Sequence, residues 1–157
     1  MLHGSGQVVA IHIGDAGAPL LSVADAEARP GVGLVGDRYG VGAGTFSKKQ
    51  GPDRELTLIE MEALEALERD YGVKLTAQAS RRNLATMGVA LNHLVGRVFQ
   101  VGEITARGLR LCEPCGHLEK LTGEPRLIEG LRHRGGLRAQ ILSAGVIRVG
   151  DSITQAS

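Results

Sequence analysis

Apolar positions alternate at period two near both ends of this chain and recur at helical spacing in one clear stretch between them. Gly6 to Ile13 sets Val9, Ile11 and Ile13 against more polar partners. This predicts a strand with one buried face and puts His12 on the opposite, solvent-facing side. Leu20 to Val23 predicts a short strand after a turn over 15–19, while Ala24 to Pro30 shows no clear period. Arg54 to Ile59 predicts a strand that runs into a helix over 60–71. There Met61, Leu64, Leu67 and Tyr71 form the apolar stripe and Gly72 supplies the stop. Glutamates 60, 62, 65 and 68 read as its solvated face.

Further along, Val89 to Gly96 predicts a turn or short helix around Leu91 and Leu94. Val98 to Val101 and Ile104 to Leu111 predict a hairpin about Gly102-Glu103. Gly116 to Leu121 and Glu124 to Leu131 read as short helices, and Leu137 to Thr154 as a closing β meander. Glycine numbers 23 in 157 residues, about twice the usual ~7%, which favours many turns and short strands. At this length the chain is expected to form one domain, 1–157.

Charge and hydropathy remove whole classes of function. The formal net charge is +1, no block of lysines occurs, and aromatic residues make up 3%, so no nucleic-acid surface is expected. No apolar run approaches the ~20 residues of a membrane span, and residues 1–7 carry no secretory pattern. The expected location is cytoplasmic, with no membrane partner.

Residues 31–44 hold glycines at 31, 33, 36, 40, 42 and 44 but lack the strand–glycine–helix order of a dinucleotide fingerprint. They read as a long loop, either an ordinary surface loop or one presenting Asp37 and Arg38 to a ligand. The stretch from Leu111 to Gly123 contains both cysteines, Cys112 and Cys115, with His117 two residues beyond. Three chemistries are open to it: a thiolate ligand to a metal or metal-bearing cofactor, a redox pair, or half of a zinc site completed by His117 or His133. Cys115 opens a predicted helix, where peptide dipoles favour the thiolate, and is the reactive candidate; Cys112, at a strand end, is the one expected to be buried. Two basic segments, Arg81-Arg82-Asn83 and Arg132-His133-Arg134-Gly135-Gly136, are candidate anion sites, the first also readable as a helix cap.

Taken in order, Gly36-Asp37-Arg38-Tyr39, Leu56 to Glu60, Arg81-Arg82-Asn83 with Gly88, Val95-Gly96, Val101-Gly102, Cys112-Glu113-Pro114-Cys115, Thr122-Gly123 and Val146 to Asp151 resemble the MOSC domain. The resemblance implies a closed or partly closed β-barrel of mixed topology with a few peripheral helices. It also implies a site for the molybdenum cofactor (molybdopterin). Cys115 would then ligate molybdenum or carry sulfur, with Arg81 and Asn83 lining the cofactor side; Asp37, Arg38, Arg134 and Gly135 complete the candidate cofactor contacts. An external electron donor, for reduction of N-hydroxylated compounds, or a cysteine desulfurase would be the protein partner. This chain has Tyr39 where many relatives have His, and Arg82 where many have Glu. The alternative to a cofactor protein is a zinc-stabilised barrel acting as a binding module.

Overall fold

The computed structural model describes residues 6–14, 18–37, 51–114 and 116–155, apart from the side chain of His117. Its elements are β1 (Gly6–Ile13), β2 (Leu21–Val23), β3 (Asp25–Arg29), β4 (Gly33–Leu34), β5 (Leu56–Glu60), α1 (Met61–Tyr71), β6 (Leu84–Met87), β7 (Val98–Val101), β8 (Ile104–Leu111), α2 (Gly116–Thr122), α3 (Leu127–Leu131), β9 (Leu137–Ile141), β10 (Gly145–Arg148) and β11 (Ser152–Gln155). Single 3₁₀ turns at Pro52–Arg54 and Leu91–Leu94 lead into β5 and β7.

Seven strands close a barrel in the order β11-β7-β8-β9-β5-β6-β1, with β1 pairing back to β11 and β2 added outside on β1. Every pairing in the ring is antiparallel except β5–β6, which is parallel and joined through α1. The barrel is therefore mixed, as the resemblance implied. The closing meander is not observed. β9 sits between β8 and β5, β10 pairs with β3 in a separate small sheet, and β11 joins β7 to β1. Local alternation identifies strands but carries no information on which strands pair.

The barrel interior holds Val8, Ile11, Leu56, Leu58, Leu84, Phe99, Ile104, Leu137 and Ile153, all fully buried. A second apolar layer lies outside it, where Ile59 packs with Leu64 and Leu67 of α1, Leu118 of α2, and Leu127 and Leu131 of α3. Burying each such side chain stabilises the fold by roughly 1.5–3 kcal/mol. Gly72 takes the left-handed conformation, φ 67°, and its N–H caps α1 on the Glu68 carbonyl, as the sequence predicts.

Two local expectations fail for identifiable reasons. A bulge between Val8 and Ala10 shifts the phase of β1, so Val8 and Ile11 fill the core while Val9 is half-buried. His12 is 3% exposed rather than solvent-facing, because the outer face of β1 is covered here. β3, in the stretch without apparent period, buries Ala26 and Ala28 in alternation, a signal too small to stand out from sequence.

Candidate functional site

The register of the barrel builds one polar row on its outer face. His12 on β1 lies opposite Asn83 and donates its N–H to the Asn83 carbonyl at 2.7 Å. Asn83 precedes the pair Leu58–Leu84 on β6, which sets it beside Thr57 of β5. Thr57 pairs with Arg138 of β9, and Arg138 with Arg110 of β8. His12, Asn83 and Thr57 are buried although they point away from the barrel interior.

Asn83 locks this row together. Its Oδ1 accepts from the Thr57 N–H and Oγ1, both at 3.1 Å, and its Nδ2 donates to the His12 carbonyl at 3.2 Å. With no exposed surface, its side chain is engaged entirely within the protein. Burial lowers the pKa of His12, opposed by a hydrogen bond to the backbone of Arg82, and among the described residues the ring's Nδ1 has no hydrogen-bond partner.

Arg82 gathers the separate motifs. Its buried guanidinium donates through Nε to the Gly135 carbonyl at 2.9 Å, through Nη1 to the Ser80 carbonyl at 3.1 Å, and through Nη2 to the Cys112 carbonyl at 3.0 Å. The chain before β6, the end of β8 and the approach to β9 are thus held on one cation. The sequence places Arg82 in a candidate anion segment, whereas its guanidinium is taken up by three main-chain carbonyls. The signal for its role was its place immediately before a polar residue and an apolar strand, where a long side chain is buried with its neighbours.

Arg81 adopts φ 64° and donates to the Ala18 carbonyl. It lines a cavity of about 470 Å³ with Lys74, Gln78, Leu20, Leu121 and Thr122. Thr122 ends α2, the helix that starts one residue after Cys115. No helix forms over 80–83, so the cap reading of this segment fails.

Asp37 is fully buried and accepts the Gly14 N–H at 3.2 Å, so it fastens a loop to the end of β1 and is not displayed to solvent. Gly135 is also buried; a Cβ there would stand 2.3 Å from the Cys112 carbonyl, so the residue permits close packing of the cysteine strand. In the same loop the His133 N–H is taken by Glu113 Oε1 at 2.8 Å and the Arg134 N–H by the Leu131 carbonyl at 2.8 Å. The His133 and Arg134 N–H groups are thus engaged by acceptors of the protein itself. The Arg134 side chain is exposed. Cys112 is 2% exposed, as expected of it. Cys115 and Arg38, together with Tyr39, lie outside the described residues.

Two of the four glutamates expected on the solvated face of the helix are tied down, and one of them, Glu60, ends β5 instead of lying on α1. Glu60 accepts the Leu91 N–H at 3.2 Å and Glu62 the Gly88 N–H at 2.8 Å, and burial raises the pKa of Glu60. Among the described residues no three His, Cys, Asp or Glu side chains converge as a metal cage. None of the helices among them is long and apolar enough to cross a membrane.

The MOSC domain pattern matches residues 45–154. The chain belongs to the MOSC domain family. This family is associated with the molybdenum cofactor. The fold is shared with the crystal structure of the YUAD protein from Bacillus subtilis, at a TM-score of 0.79 and 15% identity over 96% of this chain and 94% of that one. YiiM from Geobacillus stearothermophilus superposes at 0.75 with 18% identity, covering 97% of this chain and 75% of that one. YiiM from Escherichia coli follows at 0.70 and 19%, covering 97% and 68%. No curated protein matches the chain in sequence.

Proposed function

We propose that this MOSC protein binds the molybdenum cofactor on the outer face of its barrel, with the Cys115 thiolate as molybdenum ligand or sulfur carrier. The observation that carries this reading is the triple hydrogen bonding of Arg82, which draws the Arg81 segment, the Cys112–Pro114 segment and the Gly135 loop into one place. The residues fit the group. The adjoining cavity falls within the roughly 300–1,000 Å³ of small-ligand sites, and Lys74 and Arg81 in its lining are cations suited to a phosphate dianion. A thiolate is a soft ligand of the kind that suits molybdenum.

In this reading Arg81 and Arg134 bind the pterin phosphate, while Asn83 and Asp37 hold the wall and Arg82 the cysteine segment. Arg38 is a further phosphate contact. When bound, the cofactor supplies two-electron oxidation and reduction, or accepts a sulfur atom. The first chemistry suits N-hydroxylated substrates and needs an external electron donor. The second needs a cysteine desulfurase.

Molybdenum, zinc and pterin are to be measured on protein from a host that makes the cofactor, wild type beside Cys115→Ser. Molybdenum and pterin in the wild type, with molybdenum reduced in the variant, support the reading. Absence of both from the wild type overturns it. The zinc-module alternative draws no support from Cys112, packed in the core, or from His133, whose Nδ1 lies 3.3 Å from Glu113 Oε2.

A further inference from the structure

The walls of the Arg81 cavity are largely apolar. Three segments bound it: Pro19 and Leu20 ahead of β2, residues 74–81 ahead of β6, and residues 121–124 at the end of α2. Leu20 and Leu75 are buried behind it, while Pro19 and Leu121 stay exposed, Leu121 to 41%. A flat, partly apolar body between such walls removes their surface from water.

Most polar groups of the lining already serve the fold. Thr76 Oγ1 accepts the Ala79 N–H at 3.0 Å, Gln78 Nε2 donates to the Leu20 carbonyl, and Thr122 Oγ1 donates to the Leu118 carbonyl at 2.9 Å. Lys74 Nζ lies 3.9 Å from Glu68, and Arg81 donates to the Ala18 carbonyl. Glu124 differs. It is the one acid among the described lining residues, it is half-buried, and no hydrogen bond or ion pair among those residues engages its carboxylate. Its backbone is nonetheless fixed. The Gly123 N–H closes α2 on the Glu119 carbonyl at 2.9 Å, and the Glu124 carbonyl accepts the Leu127 N–H at 3.2 Å, so the side chain is presented from a set position.

A carboxylate accepts and cannot donate, so a ligand in this cavity must bring N–H donors to it or leave a half-buried charge unpaired. Two parallel donors suit it best. The edge of a 2-amino-4-oxopyrimidine offers such a pair, the ring N–H and one N–H of the amino group, on a flat heterocycle. We propose that Glu124 recognises this edge of a pterin, with the apolar side chains covering the ring and Lys74 and Arg81 taking the phosphate. The assignment rests on the cofactor reading and gives Glu124 the task of rejecting ligands whose ring lacks the donor pair. Guanine carries the same edge and is the other source of this chemistry.

The test is fluorescence titration of cofactor-free protein with 6-hydroxymethylpterin and with 6-hydroxymethyllumazine, in which oxygen replaces the amino group. Wild type is compared with Glu124→Gln, and Glu129→Gln on α3, 3.7 Å from Arg126 and outside the lining, serves as control. Wild type and control are expected to bind the pterin roughly tenfold or more tighter than the lumazine. A carboxamide offers one acceptor and one donor, which match the ring N–H and the added oxygen of the lumazine. Glu124→Gln is therefore expected to lose the preference for pterin and to bind the lumazine more tightly than wild type does, an outcome that damage to the fold does not imitate. Competition with guanosine separates the sources: displacement of the pterin only at roughly tenfold or higher excess assigns the site to pterin, and guanosine binding as tightly as the pterin overturns that assignment. Neither probe carries molybdenum or phosphate, and Cys115→Ser is expected to behave as wild type, so the cysteine reading and this one fail separately. No saturable binding of the pterin, or a pterin preference unchanged in Glu124→Gln, would overturn the proposal.

Discussion

Arg82 Nη2 donates to the carbonyl oxygen of Cys112 at 3.0 Å, across thirty positions of sequence. The same side chain holds Ser80 and Gly135, so one buried cation ties the segment before β6 to the adjoining ends of β8 and β9. Replacing it with methionine keeps much of the volume but abandons three carbonyls. A loss of about 2–5 kcal/mol in urea unfolding is expected. Arg82→Lys should recover only part of this, since an ammonium cannot span three acceptors in one plane. Equal stability of all three proteins would show that the clamp is energetically idle.

Asn83 tests the wall. In Asn83→Ala the buried Thr57 N–H loses its acceptor, which predicts about 1–3 kcal/mol of destabilisation. Asn83→Asp retains an acceptor for Thr57, and its neutral carboxyl can donate to the His12 carbonyl, so it is expected to be least harmful at low pH and to destabilise increasingly as the buried group ionises. Thermal unfolding of both variants decides this.

Gly136 has φ 113°, and a Cβ there would sit 2.0 Å from the Leu58 carbonyl, a backbone atom with no freedom to withdraw. Gly136→Ala is expected to cost more than about 3 kcal/mol or to prevent folding. Gly123→Ala, with positive φ but open space around it, should cost less. Soluble yield and unfolding midpoint of the pair check the contrast.

His12 makes stability depend on pH. Burial lowers its folded pKa, so the unfolded chain binds the proton more readily. Its contribution is complete above the unfolded value of about 6.5 and is lost as pH falls from there through the lowered folded pKa. His12→Gln should flatten the stability profile on the acid side of neutrality. Glu55 acts in the opposite sense: its raised pKa gives a contribution complete below about 4.5 and lost as pH rises through the folded value. Glu55→Gln keeps an acceptor for Gly31 and Ile141 and should remove that loss. Urea midpoints across pH 4–8 separate the two effects.

How much of this was legible beforehand differs by kind of information. The helix over Met61–Tyr71, its Gly72 stop, the hairpin of β7 and β8, and the burial of Cys112 follow from side-chain period and turn chemistry, which are local properties. The order of the MOSC motifs likewise stands in the sequence, because it is a matter of spacing along the chain. Tertiary structure alone decided that β9, β10 and β11 part company and that His12, Asp37 and Asn83 are buried. It also decided that Arg82 is the clamp and that Arg110 pairs with Arg138. Those outcomes depend on which strands become neighbours and in which register, and a polar side chain's role is set by the partners that closure brings within hydrogen-bond reach. A sequence records the donors and acceptors; only the closed barrel pairs them.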